Sequence, residues 1–458
     1  MSTPRVVVIG AGPAGTRAAE MLVAAGLKPV VVDEAPRSGG QIYRRQPQGF
    51  RRPPEKLYGF EAGKAARLHE TFDRLQDKID YRPRTMVWGT EGRNLHLADG
   101  DGRQDVIGFD ALILATGAVD RIVPFEGWTM PGVYTLGGAQ IALKYQACLI
   151  GRNVALVGSG PLLYLVAYQY RRAGGNLAGI FDTTPLSREL AGLPRMAANP
   201  ANTAKGLYYL AWLAAHGVPM LHGVAPLRAE GEGRVARLVL RDRAGRERTF
   251  ACDAIAAGYH VQSETQLADL LGCDFAFDAR AGQWLPRQDE MGRSSVAGVY
   301  LAGDGALVRG ADTAEATGAL AALACLQDQG MPFDAAVRGQ ALKAMRRGSA
   351  FASALRDAFP FPEHLYENLA DETILCRCEE VSVGTFRATL RDKGADEVNR
   401  AKAFCRVGMG RCQGRMCGAS AARVAAQTLG VELASVGRLR GQAPVKPLPA
   451  AIQTEAGE

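Results

Sequence analysis

A β-branched run, Arg5 to Ile9, passes directly into Gly10-Ala11-Gly12-Pro13-Ala14-Gly15. No other stretch narrows the fold as much. A G-x-G-x-x-G turn between a strand and a helix is the entry to a dinucleotide-binding βαβ unit. Gly10 permits the tight turn, Gly12 leaves backbone open to a pyrophosphate, and Gly15 lets helix and strand pack closely. Pro13 falls in the first helical turn, where a missing N–H costs little. Gly15 to Ala25 reads as the helix and Pro29–Asp33 as the second strand. Asp33, or Glu34 beside it, is placed to accept from ribose hydroxyls, and the helix N-terminus favours the diphosphate.

The same pattern returns once. Val154–Val157 reads as a strand, Gly158-Ser159-Gly160-Pro161 as a turn, and Leu162 to Ala173 as a helix. Asp182 falls near the ribose position, but Leu163 replaces the third glycine. A leucine there would push the helix from its strand or narrow the pyrophosphate groove, so the second unit reads as a degenerate domain kept for packing or partner contact, with NAD(P)H binding as the alternative. Ala111–Ala115, Asp253–Tyr259 and Val299–Leu301 are further strands, Met86 to Ile107 an antiparallel meander, and Thr313–Cys325 a helix. At 458 residues, with 47% hydrophobic and 22% charged, the chain is globular and multidomain. The net charge of +7 is weak and carries no long basic run, which argues against nucleic acid. The basic stretch Arg44-Arg45 to Arg51-Arg52 reads as a solvated loop or, alternatively, as a contact to a cofactor phosphate or a partner. Without an 18-residue apolar stretch or a secretory core, the expectation is a cytoplasmic chain with no integral membrane segment. Hydrolase, metalloprotease and kinase signatures do not occur.

Nine cysteines divide into two groups. Cys148, Cys252, Cys273 and Cys325 sit among apolar neighbours and are expected to be buried free thiols. Cys376, Cys378, Cys405, Cys412 and Cys417 crowd together, with 33 residues between Cys378 and Cys412. Cys376, Cys378, Cys412 and Cys417 offer four thiolates, which suits a [2Fe–2S] cluster. Zinc is the rival ligand, though Cys-x-Cys is tight for it; plain thiols are the remaining alternative. Gly408, Gly410, Gly414 and Gly418 leave backbone N–H groups free to approach sulfur. Arg377, Arg406, Arg411 and Arg415 are placed to offset an anionic cluster, and Cys405 is a bystander.

Ala302-Gly303-Asp304-Gly305 resembles the strand end that holds the ribityl and phosphate side of FAD in two-dinucleotide-binding-domain flavoproteins, and Ala115-Thr116-Gly117 resembles the Ala-Thr-Gly turn of the same superfamily. FAD is therefore the expected occupant of the first site, with NAD or an adenine nucleotide as alternatives. Gly39-Gly40-Gln41-Ile42-Tyr43-Arg44, Pro124-Phe125-Glu126-Gly127-Trp128 and Cys412-Gln413-Gly414-Arg415 extend the likeness over Val6 to about Gly418. Together they resemble the large FAD and [2Fe–2S] subunit of bacterial dye-linked amine dehydrogenases, the family of D-hydroxyproline dehydrogenase, opine oxidase and hydrogen cyanide synthase. The C-terminal module is similar to bacterioferritin-associated-ferredoxin domains.

The resemblance implies two interleaved Rossmann-like units in an α/β chain: residues 1–120 with 260–330 for FAD, and 121–259 for the degenerate unit. A connecting segment at 331–371, a [2Fe–2S] domain at 372–420 and a tail at 421–458 complete it. It carries over Gly10, Gly12, Gly15, Asp33, Gly40, Gln41, Thr116, Gly117, Gly303 and Asp304 as FAD positions. Cys376, Cys378, Cys412 and Cys417 carry over as cluster ligands; no substrate residue carries over. It further implies a partner resembling D-amino-acid oxidase that oxidises the amine, a small ferredoxin-like subunit, and an FMN between the large subunits. Relatives with NAD or ATP in the first site leave its nucleotide open. A stand-alone NAD(P)H:acceptor reductase and a redox-sensing scaffold are the competing functions.

Overall fold

The computed structural model describes residues 3–50 and 52–448. Two five-stranded sheets, all parallel, form its centre. In the first, the order is Val299–Leu301, Ala111–Leu114, Val6–Ile9, Val30–Val32, Asp80–Arg82. Val7 pairs with Val30 on one side and Leu112 on the other. The strand Val6–Ile9 is buried on both faces, which is why it reads as continuous apolar sequence. Val6 and Val8 enter one core, Val7 and Ile9 the other. The alanine-rich helix Ala311–Asp328 crosses the fingerprint helix Pro13–Ala24 at very short range. A side chain on Gly318 would lie 2.1 Å from the Ala14 carbonyl oxygen.

The second sheet runs Met220–His222, Asn176–Asp182, Asn153–Ser159, Ala254–Tyr259, Val133–Thr135. Leu163 is fully buried in its core beside Val154, Leu156 and Ile180. The strands Ala118–Asp120 and Val261–Ser263 carry the chain from one unit to the other and back, and pair with each other antiparallel. Two antiparallel meanders cap the sheets: Thr85–Glu91, Asn94–Asp99 and Gln104–Gly108 on the first, Ala225–Glu230, Arg237–Arg241 and Glu247–Ala251 on the second.

Beyond the sheets the structure corrects several expectations. The segment 331–371, expected to connect and to hold some helix, carries a 24-residue helix, Ala335–Ala358. It is held by packing: a side chain on Gly192 would meet the Ala358 Cβ at 2.3 Å. The boundary expected at 420 falls inside the helix Gly418–Leu429. The chain after it is no free tail, because Val436 and Val445 are buried and the Val445 N–H donates to the Trp88 carbonyl at 2.9 Å. The last ten positions of the expected tail lie outside the described residues. Cys148 is exposed, since it sits in the turn that leaves the helix Leu136–Lys144; Cys252, Cys273 and Cys325 are buried. Arg45 is anchored rather than solvated, donating to Asp73 at 2.8 Å and to the His69 carbonyl at 3.1 Å. Arg51 of the same stretch lies outside the described residues.

The C-terminal module has its own core of Val383, Phe386, Leu390, Val398, Val407 and Val424. That core is continuous with Val123 and Tyr259 of the second unit. Polar bonds fix the seating: Trp128 Nε1 donates to the Ile374 carbonyl at 2.6 Å, and Ser420 Oγ to the Ile122 carbonyl at 2.7 Å.

Candidate functional site

Four glycine-bearing turns meet at the end of the first sheet. Gly10 has φ +104°, and a side chain there would lie 2.3 Å from the Ala115 carbonyl oxygen. One on Gly15 would lie 1.7 Å from the Gly10 carbonyl oxygen, so strand, turn and helix close up only around glycine. The Gly39 N–H donates to the Ala11 carbonyl at 2.8 Å, which draws the loop with Gly40 and Gln41 onto the turn. Gly303 stands against Ala14, and Gly305 against Thr116. Gly12 is different. A side chain there would make only ordinary contact, 3.5 Å from the Gly40 Cα, so the fold leaves open the space that a pyrophosphate would fill.

The carboxylates are braced by the turns they serve. Asp33 Oδ2 accepts from the Ala11 N–H at 2.5 Å and Oδ1 from the Ala35 N–H at 2.6 Å. Asp304 Oδ1 accepts from the N–H groups of Arg309 at 2.8 Å and Gly310 at 3.0 Å. Burial raises the pKa of both, against these backbone bonds. Each oxygen keeps lone pairs free for a ribose or ribityl hydroxyl. Glu34 points elsewhere and pairs with Lys446. Gln41 is exposed and accepts from Arg44 at 3.0 Å. Thr116 and Gly117 are tied to Glu264, a residue that no sequence motif singles out: Thr116 Oγ1 donates to the Glu264 carbonyl at 2.7 Å, and the Glu264 N–H to the Gly117 carbonyl at 3.0 Å.

The second turn is occupied by the protein itself. A side chain on Gly160 would lie 2.9 Å from His260 Nδ1. Asp182, fully buried, accepts from Tyr164 Oη at 2.8 Å and the Thr184 N–H at 2.7 Å. Glu189 and His222 complete the group, with His222 Nδ1 at 2.8 Å from Glu189 Oε1. Loss of solvent, then the charge of Glu189, pushes Asp182 up to about 7. The carboxylate aligned with a ribose position is thus consumed inside the fold.

The cysteine loop gathers four thiols. The Cys417 thiol contacts both Cys376 and Cys412, and Cys378 contacts Cys412. Cys376 is pushed down to about 6, first by the Cys417 thiol and then by N–H groups of Gly408, Glu379 and Cys378, against burial. Cys412 is pushed down to about 5 by Cys417 first, with Met416 and Gly414 N–H groups adding to it. Cys417, which shares its proton with both, is raised. Among the described residues, the group of three or more metal-type side chains whose ligand atoms all lie within 4.8 Å of one another is Asp182, Glu189 and His222. No three of the cysteine sulfurs described meet that limit; they are linked one to the next, Cys376 to Cys417, Cys417 to Cys412 and Cys412 to Cys378. Four thiols linked in this way are the donor set that a thiolate-bound metal centre takes. Cys405 stands aside and bonds the Ala401 carbonyl at 3.2 Å. Of the four arginines expected around the loop, Arg406 pairs with Glu379 and Arg377 lies over the Trp128 ring, while Arg415 is directed inward to Glu264.

Two family models match the chain in succession. The model of the pyridine nucleotide-disulphide oxidoreductase family matches residues 4–323, and that of the sarcosine oxidase A3 domain matches residues 372–457. The chain is 38% identical to an opine oxidase subunit of Rhizobium meliloti, over 97% of this chain and 86% of that one. It is 31% identical to the HcnB subunit of hydrogen cyanide synthase from Pseudomonas aeruginosa, over 97% of each. Among solved structures, L-proline dehydrogenase from P. horikoshii superposes with a TM-score of 0.73 at 21% identity, covering 98% of this chain and 79% of that one.

Proposed function

The chain belongs to the pyridine nucleotide-disulphide oxidoreductase family and is similar to opine oxidase subunits, and from that premise we propose that it is the electron-carrying subunit of a hetero-oligomeric amino- or imino-acid dehydrogenase. Its cofactors are FAD at the first turn and a [2Fe–2S] cluster on Cys376, Cys378, Cys412 and Cys417. D-hydroxyproline, an opine or a similar secondary amine is the substrate of the complex. A partner resembling D-amino-acid oxidase carries out the amine oxidation; an interfacial FMN and a small ferredoxin-like subunit complete the assembly. The protein acts in the cytoplasm; no helix among the described residues is long and apolar enough to cross a membrane.

The observation that carries this reading is the pairing of an open glycine cradle with a four-thiol loop on one framework. When bound, the flavin and the iron–sulfur group supply the redox chemistry. The chain supplies their seats. Gly12 and Gly40 leave backbone for the pyrophosphate, and Asp33 and Asp304 present braced acceptors to hydroxyls. Cys376 and Cys412 already favour the thiolate that a metal requires. The second turn argues against a stand-alone NAD(P)H reductase, because His260 covers Gly160 and Asp182 is spent on Tyr164 and Thr184.

The test is dye reduction by this chain alone and co-expressed with a D-amino-acid-oxidase-like partner. The complex should reduce the dye with a secondary amine, and the yellow-brown isolated chain should not. Full-rate amino-acid oxidation by the isolated chain would overturn the subunit reading.

A further inference from the structure

We propose that Glu264 and Arg415 form a positioning pair that joins the nucleotide turn to the cysteine loop and sets the reduction potential of the cluster; this rests on the [2Fe–2S] reading above. Arg415 Nε donates to Glu264 Oε2 at 2.5 Å, and the side chains are only 14% and 9% exposed. On one side, Glu264 is fastened through its backbone to Thr116 and Gly117. On the other, Arg415 lies between the ligands Cys412 and Cys417. Its N–H donates to the Cys412 carbonyl at 3.1 Å, and its Nη1 reaches the same oxygen at 3.3 Å and the Val445 carbonyl at 2.6 Å.

Two glutamines run parallel to the pair. Gln262 Nε2 donates to the Arg415 carbonyl at 3.1 Å, and Gln266 Nε2 to the Gln413 carbonyl at 2.5 Å. The segment from Gln262 to Gln266 thus grips the loop Gln413–Arg415 along its length. These neutral bonds position the loop; the ion pair alone adds charge.

The sign of its effect follows from electrostatics. A cluster on four thiolates is anionic and becomes more so on reduction. Arg415 favours the reduced form, and Glu264 opposes it by neutralising Arg415. With both side chains largely shielded from water, their charges are weakly screened. Glu264→Gln leaves the arginine uncompensated and raises the potential. Arg415→Met removes the cation and leaves the carboxylate, which lowers it. Arg415→Lys keeps the charge without the planar fork and returns the potential toward wild type. A role confined to shape would move the two charge-removing variants together or lose iron in both.

The experiment is an EPR-monitored redox titration of the full chain and the three variants, with iron content and circular dichroism on the same samples. Opposite shifts for Glu264→Gln and Arg415→Met, at unchanged iron, are the expected result. Unchanged potentials, or shifts of one sign, with full iron would overturn the pair's role and leave the functional reading standing. A wild-type chain that takes up no iron under anaerobic reconstitution would overturn both.

Discussion

Gly12 and Gly40, 28 positions apart, come so close that a side chain on Gly40 would lie 2.8 Å from the Gly12 Cα. The contact makes one cradle of two loops. It also separates two reasons for glycine. Gly40, at φ +63°, is required by the backbone itself. Gly12 has no such need, since its N-cap φ of −77° is open to any residue.

Gly12→Val should therefore fold normally and still fail to hold a nucleotide. Thermal unfolding followed by circular dichroism should change little, whereas flavin or adenine released on denaturation should fall to background. Stoichiometric nucleotide in the folded variant would remove the basis for that site.

Cys412→Ser should lose iron and keep the first-site nucleotide, because the thiol that contacts both Cys378 and Cys417 is gone while the glycine cradle is untouched. Cys405→Ser should retain its iron, as its sulfur bonds a carbonyl of its own helix. Iron analysis and the visible spectrum distinguish the two. Full iron in Cys412→Ser would refute the ligand set.

Leu163→Ala should destabilise the chain by about 2–5 kcal/mol, the usual cost of an aliphatic cavity at a fully buried site. It should not create NADH binding, since His260 and the buried Asp182 remain in place. Denaturant melts and an NADH fluorescence titration measure both; saturable NADH binding by the variant would count against the closed second turn.

Asp182 and His222 set a pH dependence of one sign. Asp182 stands at about 7 in the fold, and His222 is raised as well, by Glu189 first. Their unfolded values are about 3.9 and 6.5. The folded chain therefore binds more protons, and their stabilisation is complete below the unfolded values. It is lost as pH rises, across about 4 to 7 for Asp182 and through its raised value for His222. Asp182→Asn should shrink the loss of unfolding free energy between about pH 5 and pH 8 by on the order of 2 kcal/mol. Parallel pH profiles for variant and wild type would show that Asp182 does not titrate in this range.

The parts legible in the sequence are those where one residue type is obligatory. Gly10 and Gly15 admit nothing larger, and four cysteines at fixed spacing announce themselves. The parts that were hidden depend on distant partners. Glu264 acquires meaning only from Arg415, 151 positions away, and Glu34 meets Lys446 across 412. The helix Ala335–Ala358 carries many small and charged residues, and its place is settled by packing such as Ala358 against Gly192. Cys148 shares an apolar neighbourhood in sequence with the buried cysteines, but a turn takes it to the surface.

The chain beyond the helix Gly418–Leu429 returns to the first unit, where Val445 bonds Trp88 and Lys446 meets Glu34, while Trp128 and Ser420 hold the module's other flank. A domain clasped on both flanks cannot act as a tethered shuttle that swings between donor and acceptor. These contacts hold it at one distance from the glycine cradle. Any exchange with another protein then takes place at a stationary port, and its rate is set by how well that protein docks rather than by how far this one travels.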